Sequence, residues 1–259
     1  MANFKVAVAE YMTSPLLSVR ATSFIDHAHR EMQKSQVSAL PVMDEDDRLV
    51  GVISRTDVLK AGRREAGSSR DARLLAFPAK PVSEFMTPDP IVLDAEAPLA
   101  DAAQLMLEHR IHRVFVEEGG EPVGIVTTRD LMRAIREKRV NEPLSAYMSS
   151  PLFTIRASEP VSLATERLEK ARVTGLVVLD GEWPVGVFTQ AEAMESRDVA
   201  RDTAVEDVMN PAILVLDAQT PLHRAAAQAG TMDARRVVVI EGNRPAGIVT
   251  GLDFAKVVK

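Results

Sequence analysis

Apolar residues in this chain form helically spaced sets and short continuous runs that follow one another in a fixed order. The stretch 99–106 shows the helical spacing most clearly, because its apolar residues would share one face of a helix. Two short apolar runs follow at 114–116 and 123–126, separated by a polar turn with two glycines, which is typical of paired strands. A second helical set then begins near Thr127. The pattern predicts a helix, two strands and another helix.

The same pattern occurs four times. In each copy the second apolar run contains a glycine, followed three residues later by Ser or Thr and three after that by an acid. An alanine precedes each glycine by 29 or 30 residues, and a methionine precedes each alanine by nine. A fixed period of this length indicates an array of one supersecondary unit. The copies run from glycine to acid as Gly51 to Asp57, Gly124 to Asp130, Gly186 to Glu192 and Gly247 to Asp253.

Each unit opens with a short helical turn that leads to its methionine and is then broken by proline. A short apolar strand follows, so the predicted unit is β-α-β-β-α and the fold class is α/β (α+β). Proline is expected at the first position of the next helix, where its missing N–H costs no hydrogen bond. These residues are Pro98, Pro160 and Pro221, with Phe24 at the same place in the first unit.

The predicted units span residues 1–62, 82–139, 140–198 and 199–259. Residues 63–81 form an Arg-, Gly- and Ser-rich linker between the first two. Such a composition is typical of a mobile loop or a fraying helix end. The alternative is a basic arm that contacts a polyanion, which would make the linker a nucleic-acid-binding segment.

Composition narrows the classes of function. With 259 residues, 46% hydrophobic and 26% charged, the chain is typical of a globular protein. The absence of cysteine excludes disulfides, thiolate metal sites and cysteine nucleophiles. We expect a cytoplasmic protein, because no signal-peptide pattern and no 18-residue apolar run are present. The net charge of −6 argues against general nucleic-acid binding.

The repeated Gly-apolar-apolar-(Ser/Thr)-x-x-Asp, with its Met-x-x-Pro opening, resembles the CBS domain (cystathionine β-synthase domain) over nearly the whole chain. The resemblance implies that tandem units pair into Bateman modules, here units one with two and three with four. It implies clefts between paired units that bind adenosine derivatives, and four units that close a disc within one chain or as a homodimer. In unit two, Ile111-His112-Arg113 is similar to the phosphate-binding segment of γ subunits of AMP-activated protein kinase.

The repeated hydroxyl and acid have two interpretations. A carboxylate can accept hydrogen bonds from both ribose hydroxyls, and a helix N-terminus attracts phosphate. Ser/Thr-x-x-Asp/Glu is also a capping box, which would explain every copy without a ligand. The four pairs are Ser54 and Asp57, Thr127 and Asp130, Thr189 and Glu192, and Thr250 and Asp253.

The resemblance implies one main cleft between units one and two. In it Asp57 would hold ribose, and an arginine fork would bind phosphate oxygens. Adenine would lie between Leu16, Leu17, Val37 and Ser38, and phosphate would contact His112, Arg113, Thr127 and Arg129.

The other three clefts are weaker predictions. Asp130 would face Ser38 and Ala39, which supply no base for phosphate. Glu192, one methylene longer than Asp, would face Arg235 and Arg236. Asp253 would face Thr174 and Gly175, again without a base.

The sequence therefore predicts a regulatory nucleotide sensor with no catalytic residues, no catalytic cofactor and no metal site. The expected ligand is AMP, ADP or ATP, with S-adenosylmethionine as an alternative, and an unidentified protein partner would read the occupancy. A membrane partner is not expected, and nucleic acid would bind only through the linker. The other reading is a structural adaptor or oligomerisation protein whose clefts bind nothing and whose carboxylates only cap helices.

Overall fold

The computed structural model describes residues 3–65, 77–196 and 199–259. Most of the predicted basic linker, with its proposed polyanion contact, lies outside the described residues. The described elements of units one and two are β1 Val19–Arg20, α1 Ile25–Lys34, β2 Ala39–Met43, β3 Leu49–Ser54, α2 Arg55–Glu65, β4 Thr87–Pro88, β5 Val92–Asp94, α3 Leu99–Glu108, β6 Arg113–Glu118, β7 Glu121–Thr127 and α4 Thr128–Glu137. Those of units three and four are β8 Thr154–Arg156, α5 Val161–Ala171, β9 Gly175–Asp180, β10 Trp183–Thr189, α6 Gln190–Glu195, β11 Leu214–Asp217, α7 Leu222–Thr231, β12 Arg236–Glu241, β13 Arg244–Thr250 and α8 Gly251–Val258.

Each unit has the predicted β-α-β-β-α order. The first strand pairs in parallel with the second, and the third pairs antiparallel with the second, as in β5-β6-β7. The parallel pair needs a crossover, which α1, α3, α5 and α7 supply, whereas a tight turn suffices for the antiparallel pair. The mixed α/β prediction is confirmed.

Paired units exchange their opening segments. Strand β4, which opens unit two, lies antiparallel against β3 of unit one, and Thr13 of unit one bridges Ile125 of unit two. The same exchange joins Ser149 to Ile248 and Val187 to Asn210 in the other half of the chain. Units one and two therefore form one module, and units three and four form the second, as predicted.

The two modules pack against each other within one chain. Helix α4 of unit two contacts α7 and α8 of unit four, and α3 also contacts α8. Buried small residues on these helices, such as Ala102 and Ala225, allow the close approach. As a result, one hydrophobic core runs through units two and four, whereas units one and three each have their own cluster and meet through α2 and α6.

The predicted element boundaries require small corrections. Pro98, Pro160 and Pro221 are N-cap residues with extended backbone, not first helical residues, so each helix begins one residue later. The proline ring fixes φ but leaves ψ free, and ψ of 141° at Pro98 is that of an N-cap. Helix α2 continues to Glu65, three residues into the predicted linker.

Candidate functional site

A hydroxyl residue caps the second helix of every unit, as predicted. Ser54, Thr127, Thr189 and Thr250 directly precede α2, α4, α6 and α8. The acid three residues later accepts a hydrogen bond from the backbone N–H of its hydroxyl residue, at 2.9 Å for Asp57 and 2.8 Å for the other three. The same carboxylate oxygen also accepts from the hydroxyl. One oxygen of each carboxylate is therefore used in capping.

The second carboxylate oxygen distinguishes the four units. In unit four, Oδ1 of Asp253 accepts from Ser149 Oγ at 2.8 Å and from Lys256 Nζ at 2.7 Å. In unit two, Oδ1 of Asp130 lies 3.8 Å from Arg133 Nη2. Among the described residues, no hydrogen-bond donor reaches the second oxygen of Asp57 or Glu192. These two carboxylates keep the oxygen that a ribose hydroxyl would need.

Burial follows the same division. Asp253 and Asp130 are buried, with 2% and 9% of their surface exposed, while Asp57 and Glu192 are half-buried. Burial raises the pKa of the Asp130 carboxyl, and the hydrogen bonds from Thr127 and the charge of Arg133 oppose that rise. The acids of units one and three are thus the more accessible pair.

Two arginines at equivalent positions, one in unit two and one in unit four, each bond a hydroxyl of the unit with which theirs is paired. Arg113 Nη2 donates to Ser38 Oγ at 3.2 Å, and Arg236 Nη2 donates to Thr174 Oγ1 at 2.7 Å. The Arg236 guanidinium lies over Gly175, where a Cβ would be 2.8 Å from Nε. Both modules therefore present an arginine to the cleft that contains the half-buried acid.

These arginines are partly buried. Desolvation by burial lowers the pKa of Arg113 to about 10, and the nearby Asp57 carboxylate opposes that shift. Burial likewise lowers the pKa of Arg236, with Glu192 opposing it. Each arginine thus interacts electrostatically with the acid that was predicted to face it, which is Asp57 for Arg113 and Glu192 for Arg236.

His112 and Arg235 occupy the positions just before these arginines and lie near each other across the module boundary. Desolvation lowers the pKa of His112 to about 4, and the charges of Arg113, Arg236 and Arg235 lower it further. Desolvation also lowers the pKa of Arg235 to about 10, although its side chain remains exposed to solvent. Arg235 is thus surrounded by protein and still accessible to water, so it lies in a recess of the surface.

The modules meet at the N-terminal ends of the capped helices. Thr56 Oγ1, next to Asp57, donates to Gln190 Oε1 at 2.8 Å and joins α2 to α6. The side chain of Thr128 packs against Gly251 and joins α4 to α8. Arg129 forms an ion pair with Asp233 of unit four. The clefts of the two modules are therefore neighbours.

The structure places the predicted residues of the main cleft in two groups. Arg113 bonds Ser38, and its charge interacts with those of Asp57 and His112. Thr127, in contrast, bonds Asp130 of its own unit. Leu16 and Leu17 follow the segment that pairs with β7 of unit two, at Thr13, whereas the strand before Asp57 pairs with Thr87 and Pro88. The segment that runs beside the Asp57 strand is thus 87–88, not the one leading to Leu16 and Leu17.

The backbone N–H of Val37 donates to Met32 O of its own unit. Several charged neighbours of the clefts were not predicted. Lys256 and Arg133 both lie three residues after a capping acid, so helical spacing could have revealed them. Arg55, which lowers the pKa of Arg235, and Asp233, which pairs with Arg129, belong to other units and gave no signal at short range.

In the part of the chain that the structure describes, no helix is long and apolar enough to cross a membrane. Within those same residues, no three or more His, Asp and Glu side chains form a group that could hold a metal ion.

Comparison with known proteins identifies the family. The sequence profile of the CBS domain matches residues 8–64, 82–137, 144–197 and 205–259. The chain belongs to the CBS domain family. As the geometry indicates, it carries four CBS units in two Bateman modules.

Three relatives illustrate the range of similarity. The chain is 32% identical to CBSX1, a chloroplastic CBS domain-containing protein of Arabidopsis thaliana, over 49% of this chain and 63% of CBSX1, so it spans less than two thirds of that protein. MJ1225 from Methanocaldococcus jannaschii, described as a candidate archaeal homologue of γ-AMPK, aligns with 98% of this chain and 100% of its own at 20% identity and a TM-score of 0.83. That likeness shows the four-unit fold. The structure of CBSX2 in complex with AMP aligns with 51% of this chain and 97% of its own at 29% identity and a TM-score of 0.44.

Proposed function

We propose that this CBS protein is a non-catalytic regulatory protein that binds a phosphorylated adenine nucleotide between its paired units and signals the occupancy to a protein partner. The ligand would occupy two clefts. The first contains Asp57 with Arg113, and the second contains Glu192 with Arg236.

The environment of Arg113 carries this proposal. Its guanidinium has five N–H donors, yet among the described residues its side chain has one hydrogen-bond acceptor, the neutral hydroxyl of Ser38. Arg113 is partly buried, and a partly buried charge without a bonded anion is unfavourable, because burying a charge requires compensation. A phosphate would supply that compensation through bidentate, charge-assisted hydrogen bonds. Asp57 lies near enough to Arg113 to raise its pKa, and among the described residues no donor reaches its second oxygen, which would receive a ribose hydroxyl.

Local charge favours a nucleotide over S-adenosylmethionine. Arg113, Arg235 and Arg236 lie close enough to lower the pKa of His112 together. This positive potential attracts phosphate and repels the sulfonium of S-adenosylmethionine. AMP, ADP and ATP are all compatible with this charge. The predicted adenine-side residues do not distinguish among them, because the three nucleotides have the same base.

The clefts of Asp130 and Asp253 would not take a nucleotide under this proposal. Ser149 and Lys256 occupy both remaining acceptor directions of Asp253, and Asp130 is buried beside Arg133. A ribose would have to displace these groups. Both clefts would also bind phosphate weakly, because Ser38, Ala39, Thr174 and Gly175 carry no basic group.

Signalling requires that the ligand bind one arrangement of the modules better than another. The Thr56–Gln190 bond connects the two ligand-binding units beside their acids, so cleft occupancy can alter how the modules pack. A protein partner that contacts both modules would read that change.

Thermal unfolding with AMP, ADP, ATP and S-adenosylmethionine tests the proposal. Ligand at a hundredfold excess over its Kd stabilises by about 2.7 kcal/mol, which raises the midpoint of a protein of this size by several degrees. We expect the phosphorylated ligands to raise the midpoint. Asp57→Ala and Arg113→Ala should each reduce the part of that rise that comes from the Asp57 cleft. Glu192→Ala should reduce the part that comes from the other cleft.

Asp253→Asn is the matched control, because it changes the same repeat position in a cleft expected to be empty. It should lower the midpoint of the free protein without changing the ligand-induced shift. If no nucleotide moves the midpoint of the unsubstituted protein, the carboxylates are only helix caps and the protein acts as a structural adaptor.

A further inference from the structure

The phosphate-binding ends of the two proposed clefts share one group of charges. The pKa of His112 is lowered by the charges of Arg113 from unit two and of Arg235 and Arg236 from unit four. The pKa of Arg235 is also lowered, by Arg129 and Arg55. We call the following residues the central charge cluster: Arg55, Asp57, His112, Arg113, Arg129, Glu192, Asp233, Arg235 and Arg236.

Direct contacts hold this cluster together across the module boundary. The Arg129–Asp233 ion pair joins unit two to unit four, and the Thr56–Gln190 bond brings the units of Asp57 and Glu192 within hydrogen-bonding distance. Within their own modules, Arg113 and Arg236 each donate to a hydroxyl of the paired unit, at 3.2 Å and 2.7 Å. The phosphate-binding residues of the two clefts therefore lie close enough for their charges to interact.

The net charge of the cluster is small. It contains five guanidinium groups and three carboxylates, and His112 is neutral at physiological pH because its pKa lies at about 4. The net charge is thus two positive. A phosphate monoester carries about −1.5 to −2 at neutral pH, so one such group neutralises the cluster and a second leaves it negative.

We propose that the two clefts bind phosphorylated nucleotide with negative cooperativity, because the central charge cluster compensates the phosphate of one ligand and not of two. The inference rests on the proposed function and adds how its two sites regulate each other. The first nucleotide binds at either cleft. The second meets a cluster that has lost its positive charge, and it binds more weakly by about tenfold or more.

Isothermal titration calorimetry of the full chain with AMP tests this directly. We expect one strong and one weak phase, with the two affinities converging as salt is raised, because salt screens exposed charges. Adenosine, which has no phosphate, should bind without this difference. Two equal AMP sites would overturn the inference while leaving the proposed function standing, and a complete absence of AMP binding would overturn the proposed function itself.

Asp233→Asn sharpens the test. Asp233 belongs to the cluster but to neither proposed cleft, and its neutralisation raises the net charge and releases Arg129. We expect the second AMP affinity to rise by about tenfold and to approach the first. Asp101→Asn, an exposed residue at the start of α3 outside the cluster, changes the total charge equally and should alter neither affinity. A second phase that neither salt nor Asp233→Asn strengthens would mean that the Glu192 cleft does not bind, and would reject the inference.

Discussion

The Sδ atom of Met12 lies 2.5 Å from the point that a Cβ on Gly124 would occupy. Met12 belongs to unit one and Gly124 to unit two, so the two most regular landmarks of the repeat meet across the module. The remaining contacts of this kind join Met86 to Gly51, Met209 to Gly186 and Met148 to Gly247, at 2.6–2.7 Å. The glycine recurs because only a residue without a side chain admits the methionine of the partner unit.

Gly124→Ala should therefore destabilise the protein. The new methyl group would overpack against Met12 and against the backbone oxygen of Thr13, for an expected loss of about 1–3 kcal/mol in denaturant unfolding. Gly230→Ala is the control, because that glycine lies in helix α7 with no neighbour within 4 Å of an added Cβ. It should be neutral or stabilising by about 0.4–1 kcal/mol. Equal stability of Gly124→Ala and the unsubstituted protein would show that the contact is not restrictive.

The order of elements and the pairing of units were predictable because local spacing determines them. Apolar periodicity sets each helix and strand, and the shared offset of Met, Ala and Gly identifies the repeat. The capping role of Ser54, Thr127, Thr189 and Thr250 also followed from sequence. Proline at the N-cap was missed by one residue, because φ is the same at both positions and only ψ separates them.

The differences between clefts could not be predicted from one repeat alone. The second carboxylate oxygen of Asp253 accepts a hydrogen bond from Ser149, which is 104 residues away in sequence. Arg129 pairs with Asp233 only because the modules pack through α4, α7 and α8. Such contacts depend on the arrangement of whole units. The placement of Leu16 and Leu17 likewise depends on the exchange of opening segments.

Tyr11 provides a probe of that exchange in solution. Its side chain comes from unit one but is buried on unit two, where its hydroxyl donates to Glu137 Oε2 at 2.8 Å and Arg133 lies 5.0 Å from the ring centre. Burial, followed by the bond to Glu137, raises its pKa from 10.0 to about 12. Ultraviolet absorbance titration should therefore show one of the two tyrosines ionising at about 12.

Tyr11→Phe should remove that high-pH phase and cost about 0.5–1.5 kcal/mol at neutral pH through loss of the hydrogen bond. Since the folded-state pKa is the higher one, stability is fully present below pH 10.0 and is lost as the pH rises towards about 12. Tyr147→Phe serves as the comparison. If Tyr147→Phe instead removed the phase, the opening turn of unit one would not dock as described.

His112 should make the free protein sensitive to acid. Its pKa falls from 6.5 in the unfolded chain to about 4 in the fold, first through desolvation and then through Arg113, Arg236 and Arg235. The unfolded state thus binds more protons in this window, and stability falls as the pH is lowered from about 6.5 to 4. The contribution is at most about 3 kcal/mol and smaller in practice, because water reaches the recess.

Comparing urea unfolding of the unsubstituted protein and His112→Gln across that window isolates this contribution, because other titrating groups cancel. His112→Gln should lose less stability on acidification than the unsubstituted protein does. A saturating phosphorylated ligand should reduce the difference, since phosphate favours protonated His112. Parallel curves for His112→Gln and the unsubstituted protein would place this histidine in an ordinary solvated environment.

Gly175 leaves room for the Arg236 guanidinium beside the first residue of β9. An alanine there would meet Arg236 Nε at 2.8 Å and Cζ at 2.9 Å, and would push the side chain away from Thr174. In an Arg113→Ala background, where the Glu192 cleft is the one expected to bind, Gly175→Ala should weaken AMP by about tenfold, the worth of one charge-assisted hydrogen bond. Ala39→Gly, the reciprocal change in unit one, should leave that affinity unchanged. Undiminished AMP affinity in Gly175→Ala would show that Arg236 does not bind phosphate from its position over β9.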